Sequence, residues 1–181
     1  PLLVGSLTGW DAELDRIAAL GVGAVAIPPP FAASRSGHLQ QVADHDRPHP
    51  ILESGQDGTA TLALLASLCR ERGLSLILDL VPDRVAAGGA LAAAHPDWLR
   101  GGGSSGAALD PRREPEETGT AGLDLALEPV LDWWAKRLRL WAQAGVAGYR
   151  CLAPARTPSD AWRHLIAAAR AANPDTTFLA W

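Results

Sequence analysis

The residues of this chain that could do chemistry stand at the ends of apolar runs. In GVAGYRCLAP, residues 145–154, a single arginine, Arg150, sits among small and apolar residues. A guanidinium placed there needs a carboxylate, because a buried charge that loses its partner costs about 3–5 kcal/mol. LSLILDLVPDR, residues 74–84, closes a second apolar run with Asp79, Asp83 and Arg84. Either aspartate could neutralise Arg150, so the sequence predicts an ion pair at neighbouring strand ends, with Arg150 turned inward. The plainer alternative makes both aspartates solvated loop acids or helix caps.

Two other groups invite a chemical reading. His38, His45 and His49 lie close to Asp44 and Asp46. No pair has the i, i+4 spacing of helical metal ligands and no cysteine supports them. A surface loop, or the edge of a binding site, is the expectation, with no metal. Trp133, Trp134 and Trp141 fall in one helical segment, where Trp134 and Trp141 share a face. That spacing predicts packing against a sheet rather than an exposed binding platform. Trp98, in HPDWLR, is expected to pack as well.

The elements that position these residues repeat. Residues 11–20, 59–72, 130–144 and 158–172 have helical spacing, and the first three stop at Gly21, Gly73 and Gly145. Each is followed by an apolar run, and three of these runs end at proline. Glycine past a helix and proline past a strand are punctuation with a mechanism. Near-continuous apolar strands alternating with amphipathic helices imply a parallel sheet. The opening PLLV would add a strand, giving about five strands and four helices.

Bulk properties narrow the class. The 181 residues suffice for one domain with a sizeable core, and 48% hydrophobic against 20% charged residues excludes general disorder. A net charge of −4 without a basic run argues against nucleic acid. No apolar run nears the roughly 20 residues of a membrane span. No signal peptide is expected at the N-terminus. Two cysteines, Cys69 and Cys151, make no disulfide framework, so a reducing cytoplasm is the expected setting. No cofactor is expected.

An open doubly wound sheet and part of a (β/α)₈ barrel both fit this pattern. The dinucleotide-binding form of the first wants a glycine-rich turn after its first strand, where this chain has GSLTGWD. GGGSSG, residues 101–106, follows no strand and precedes no helix, and is read as a loop. A barrel takes about 250 residues, so five strands would be an incomplete one. In either architecture function sits at the C-terminal ends of the strands.

At those ends the chain resembles the α-amylase superfamily of glycoside hydrolases and transglycosylases. LSLILDLVPDR resembles its first diagnostic segment, GYRCL its second (G-x-R-x-D), and FLAW its third, which ends in glutamate. DHDRPHP resembles the segment that shapes the sugar site. AIPPPF, HDRPHP, HPDWLR and the last 26 residues look most like the maltosyltransferase branch, which transfers maltose from maltose 1-phosphate to α-1,4-glucans. The resemblance covers nearly all of residues 1–181. It implies the first part of a (β/α)₈ barrel, with residues 85–128 as the long loop after the third strand, in the place of the family's variable small domain. The implied partners are an α-glucan, a maltooligosaccharide or maltose 1-phosphate, and the remainder of a larger barrel or multidomain chain.

The resemblance also marks departures. Leu152 occupies the position of the nucleophilic aspartate, and Trp181 that of the acid glutamate. Asp83 and Arg84 stand where asparagine and histidine are usual. Leucine has no lone pair to attack an anomeric carbon, and an indole only donates. No catalytic pair is intact, and Arg150, Asp83, Arg84, His45 and Asp79 are left as candidate substrate-binding residues. Three classes stay open: a degenerate α-amylase-type domain, an active glycoside hydrolase or maltosyltransferase using residues elsewhere, and an unrelated α/β binding domain.

Overall fold

The computed structural model describes residues 4–35, 37–100 and 119–181. Along the chain run α1 (Trp10–Ala18), β1 (Ala24–Ile27), β2 (Phe31–Ala33), β3 (Val42–Pro48), α2 (Gly58–Arg70), β4 (Ser75–Leu80) and β5 (Arg84–Ala86). There follow α3 (Ala90–Ala94), β6 (Thr120–Gly122), α4 (Glu128–Gln143), β7 (Gly148–Cys151), α5 (Ser159–Ala172) and β8 (Thr177–Ala180). Local chemistry sets these bounds. Asp57 caps α2 by accepting from the Ala60 amide at 2.8 Å. Gly73 and Gly145 close α2 and α4 with φ of 69° and 103°, a region that favours glycine. The amides after them reach back five residues, Leu74 to Cys69 and Val146 to Trp141, each at 3.0 Å. That is the bond which turns the chain off a helix and into the next strand.

β1, β4, β7 and β8 form one sheet in that order, every pair parallel. The four expected strands therefore lie side by side in chain order. The expected opening strand falls on residues 1–4, of which 1–3 lie outside the described residues and Val4 sits in a turn. The described sheet accordingly has four strands, not five.

Helices α1, α2, α4 and α5 touch one another in sequence order, as a single layer. The strands show which face that layer covers. Leu76, Leu78, Leu80, Tyr149 and Cys151 are all buried and alternate with residues of the other face. The Tyr149 hydroxyl donates to the Leu138 carbonyl of α4 at 3.1 Å, which fixes this as the helix-facing side. Leu62, Leu65 and Cys69 of α2 pack there, in the same apolar cluster. Each such leucine contributes about 1.5–3 kcal/mol through burial. On the opposite face Ala24, Ala26, Ser75 and Leu179 are exposed. Helices on one face only are the arrangement of a barrel wall, not of a doubly wound sheet.

Two short antiparallel ribbons stand at the C-terminal ends of the strands, β2 with β3 and β5 with β6. The second pairs Arg84–Ala86 with Thr120–Gly122, inside the segment expected as the long loop after the third strand. GGGSSG lies outside the described residues. Among the described residues no helix is long and apolar enough to cross a membrane.

Candidate functional site

Asp79 and Arg150 face each other directly in the β4–β7 register. Strand neighbours in register point to the same face, here the one away from the helices. Arg150 Nε donates to Asp79 Oδ1 at 2.6 Å and Nη2 donates to Oδ2 at 2.9 Å. The Asp79 side chain is fully buried and that of Arg150 is 28% exposed. Such bidentate, charge-assisted bonds are the strong kind. They raise the arginine's pKa further, against the opposing effect of burial. The expected ion pair thus forms, and Asp79 is the partner.

Asp83 takes a different partner. Arg84 Nη1 donates to both of its oxygens, at 2.8 and 3.1 Å, and both residues are buried. Arg84 begins β5, so the end of β4 carries two ion pairs in six residues.

His45 departs from expectation. It lies on β3, 6% exposed, not in a surface loop. Trp133 and Trp134 meet its ring edge-on at 5.1 and 5.3 Å, Phe31 lies 5.7 Å away and Trp141 stacks at 6.2 Å. Burial, helped by the nearby Arg137, pushes its pKa down to about 3, with Asp46 opposing. His45 is therefore neutral at physiological pH. His38 is exposed, and His49 accepts from the Ile51 amide through Nδ1. Among the described residues no group of three His, Cys, Asp or Glu is placed to hold a metal.

Trp134 and Trp141 are buried, as their spacing predicts, and they do more than fill the core. With Phe31, His45, Asp79 and Arg84 they line a small cavity beneath the strand ends. Both indole Nε1 donors are buried without a partner. Spacing along the sequence does not reveal this, because Phe31 and His45 of the β2–β3 ribbon meet these indoles only in the fold. Trp98 is half-buried and stacks on His95 at 3.8 Å.

Leu152 and Trp181 end the neighbouring strands. Leu152 is half-buried and its amide donates to Leu80 O at 3.1 Å. The next residue, Ala153, adopts the left-handed conformation at φ 47°, unusual for a residue with a Cβ. It turns the chain sharply off β7. The Trp181 amide donates to Cys151 O at 3.0 Å, while its side chain is 77% exposed. The Arg150 guanidinium lies over that indole, 5.2 Å from the ring centroid. Asp79, Arg150 and Trp181 are thus in contact in series, with Leu152 two residues beyond Arg150 in the chain.

A parallel sheet under one helix layer, with an aspartate–arginine pair at its strand ends, is the arrangement of part of an α/β-barrel wall. The α-1,4-glucan:maltose-1-phosphate maltosyltransferase of Burkholderia pseudomallei is 37% identical over 182 residues, covering 98% of this chain and 16% of that protein. The same-named protein of Bifidobacterium longum is 25% identical, covering 99% of this chain and 26% of its own length. The chain therefore spans about a sixth to a quarter of the relatives it matches. Among solved structures, an α-amylase from Lactobacillus plantarum superposes with a TM-score of 0.80 at 24% identity, over 96% of this chain and 40% of that one. A cyclic α-maltosyl-(1→6)-maltose hydrolase from Arthrobacter globiformis gives 0.79 at 23% identity, over 97% and 42%. No protein-family model matches the chain. The chain is a relative of the maltosyltransferases on the α-amylase fold, and the reading as an unrelated α/β domain falls.

Proposed function

We propose that this chain is an α-glucan-binding domain of the maltosyltransferase type that has lost glycosyl-transfer chemistry. One observation carries the reading: the strand-end positions matched to nucleophile and acid hold Leu152 and Trp181, beside an intact Asp79–Arg150 pair. Retaining glycosyl transfer needs one carboxylate to form the glycosyl-enzyme and another to protonate the leaving oxygen. Leu152 offers no lone pair, and the Trp181 indole delivers no proton at neutral pH.

In this reading the sugar lies at the C-terminal ends of β4, β7 and β8. Asp79, Asp83, Arg84 and Arg150 supply the polar groups of the site, and neutral His45 supports the ribbon beneath it. Residues 85–128 take the place of the family's variable small domain. The buried thiols of Cys69 and Cys151 suit a reducing, cytoplasmic setting. A second reading keeps the whole protein active through residues outside this chain, and the 16% coverage of the Burkholderia relative favours considering it.

The test is incubation of the purified protein with maltoheptaose and maltose 1-phosphate. Released phosphate and new reducing ends are followed against a heat-killed control, and glucan binding is measured in parallel. The expected result is binding without turnover. Turnover that vanishes in the Asp79→Ala and Asp83→Ala variants would overturn the degenerate reading. Turnover by the full-length protein that survives both changes, and is absent from residues 1–181 alone, would assign catalysis to residues outside this chain.

A further inference from the structure

Ala153 holds a backbone conformation that its sequence opposes twice. At φ 47° and ψ 54° it lies in the left-handed region, which a Cβ disfavours. The following Pro154 also pushes its predecessor toward extended backbone. The conformation persists because the turn around it is tied down. The Arg156 amide donates to the Ala153 carbonyl at 3.0 Å. The Pro154 carbonyl accepts from the Thr157 amide at 3.2 Å and from the Trp162 indole of α5 at 2.9 Å. Thr157 itself is buried. Backbone held against its preference in this way collects at functional sites, where a neighbouring group must be aimed.

The neighbour here is Leu152. Its amide still donates to Leu80 O, so it belongs to the ladder between β4 and β7. Strand alternation then puts its side chain on the face of Asp79 and Arg150, which oppose each other in register. Alanine has fewer backbone states than glycine. Once the surrounding bonds select the left-handed one, the turn holds Leu152 more firmly than a glycine turn would.

We propose that Ala153 is a positioning residue of the strand-end site: its strained turn fixes Leu152 beside the Asp79–Arg150 pair, so that an apolar group and a charged pair meet a glucosyl ring together. A pyranose has an apolar C–H face and a rim of hydroxyls, and a site of mixed apolar and polar groups suits both. The proposal rests on the glucan-binding reading above. It deepens that reading by naming the apolar contact and the device that holds it.

The probe is maltoheptaose, titrated calorimetrically into the purified protein, the Ala153→Gly and Leu152→Ala variants, and the double variant. Glycine adopts this φ freely, so Ala153→Gly should keep its thermal midpoint or raise it by up to about 4 °C. It should nonetheless lose about three- to tenfold in affinity, because Leu152 must then be ordered on binding. A purely structural role would move stability and affinity in the same direction. Leu152→Ala should lose at least as much, and the double variant no more than Leu152→Ala alone, since Ala153 acts through Leu152. Absence of binding by the unmutated protein would overturn the glucan-binding reading, and this proposal with it. Unchanged affinity in Ala153→Gly, or losses that add in the double variant, would overturn the positioning role alone. A lowered midpoint in Ala153→Gly would show that the turn stores no strain, and would overturn that role as well.

Discussion

Arg150 holds Asp79 through both oxygens from the adjacent strand, in direct register and on the face away from the helices. Removing the carboxylate leaves a guanidinium without its counter-charge. A fully buried pair broken this way costs about 3–5 kcal/mol, but Arg150 is 28% exposed and can partly rehydrate. Asp79→Ala should therefore cost about 2–3 kcal/mol. Replacing both, Asp79→Leu with Arg150→Met, should cost less than either single change, because no charge is stranded. Urea unfolding with an unchanged m-value is the measurement. Strictly additive costs would mean the two side chains are not energetically coupled.

Gly148 sits two residues before Arg150, opposite Thr177 of β8. A Cβ built there meets the Thr177 carbonyl oxygen at 2.7 Å and Ile77 Cδ1 at 3.0 Å. The first contact is backbone and cannot swing aside, so Gly148→Ala must push β8 away. Overpacking of this kind costs about 1–3 kcal/mol. Amide exchange should locate the damage, with the β8 amides losing protection and those of β1 keeping theirs. Equal loss across the sheet would point to global unfolding instead of a displaced edge strand.

Much of this arrangement is legible in the sequence, for identifiable reasons. The long helices and parallel strands can be read because three of the four helices stop at a glycine and the strands are mostly apolar runs. The Arg150–Asp79 pair can be read because desolvation demands a partner and few acids lie near enough. His45 was harder. VADHDRP has the composition of a loop, and β3 exists only because it pairs with β2. The rings that bury His45 come from α4, nearly 90 residues later in the chain. The β5–β6 ribbon is illegible for the same reason: three-residue strands carry no periodicity, and their pairing is a tertiary fact.

The thiols give a test of the helix-facing core. Burial pushes Cys69 up to about 11, with the nearby Arg72 opposing, and Cys151 up to about 12. The thiolate is the nucleophile, and at pH 8 a thiol with a pKa of 11 is ionised to about one part in a thousand. Neither cysteine should react with a disulfide reagent at pH 8 while the protein is folded, and both should react together as urea unfolds it. Rapid labelling of one thiol without denaturant would show that the packing of α2 or β7 opens locally.

His45 makes stability depend on pH in a window that can be computed. Unfolded, a histidine takes up its proton near pH 6.5; in the aromatic cage it resists protonation down to about pH 3. Between these values the unfolded chain binds one more proton than the folded one, so stability rises with pH there and is lost as pH falls. The slope at full difference is about 1.4 kcal/mol per pH unit. Carboxylates titrate in the lower part of this range, so the measurement must be differential. The unfolding free energy of the unmutated protein minus that of His45→Phe should be constant above pH 7.5, then fall by about 1.4 kcal/mol per unit from pH 6 to pH 4. Any packing cost of the phenyl ring shifts this difference without tilting it. Parallel curves across the range would mean that His45 is protonated in the folded protein, and that the cage of Phe31, Trp133, Trp134 and Trp141 admits water.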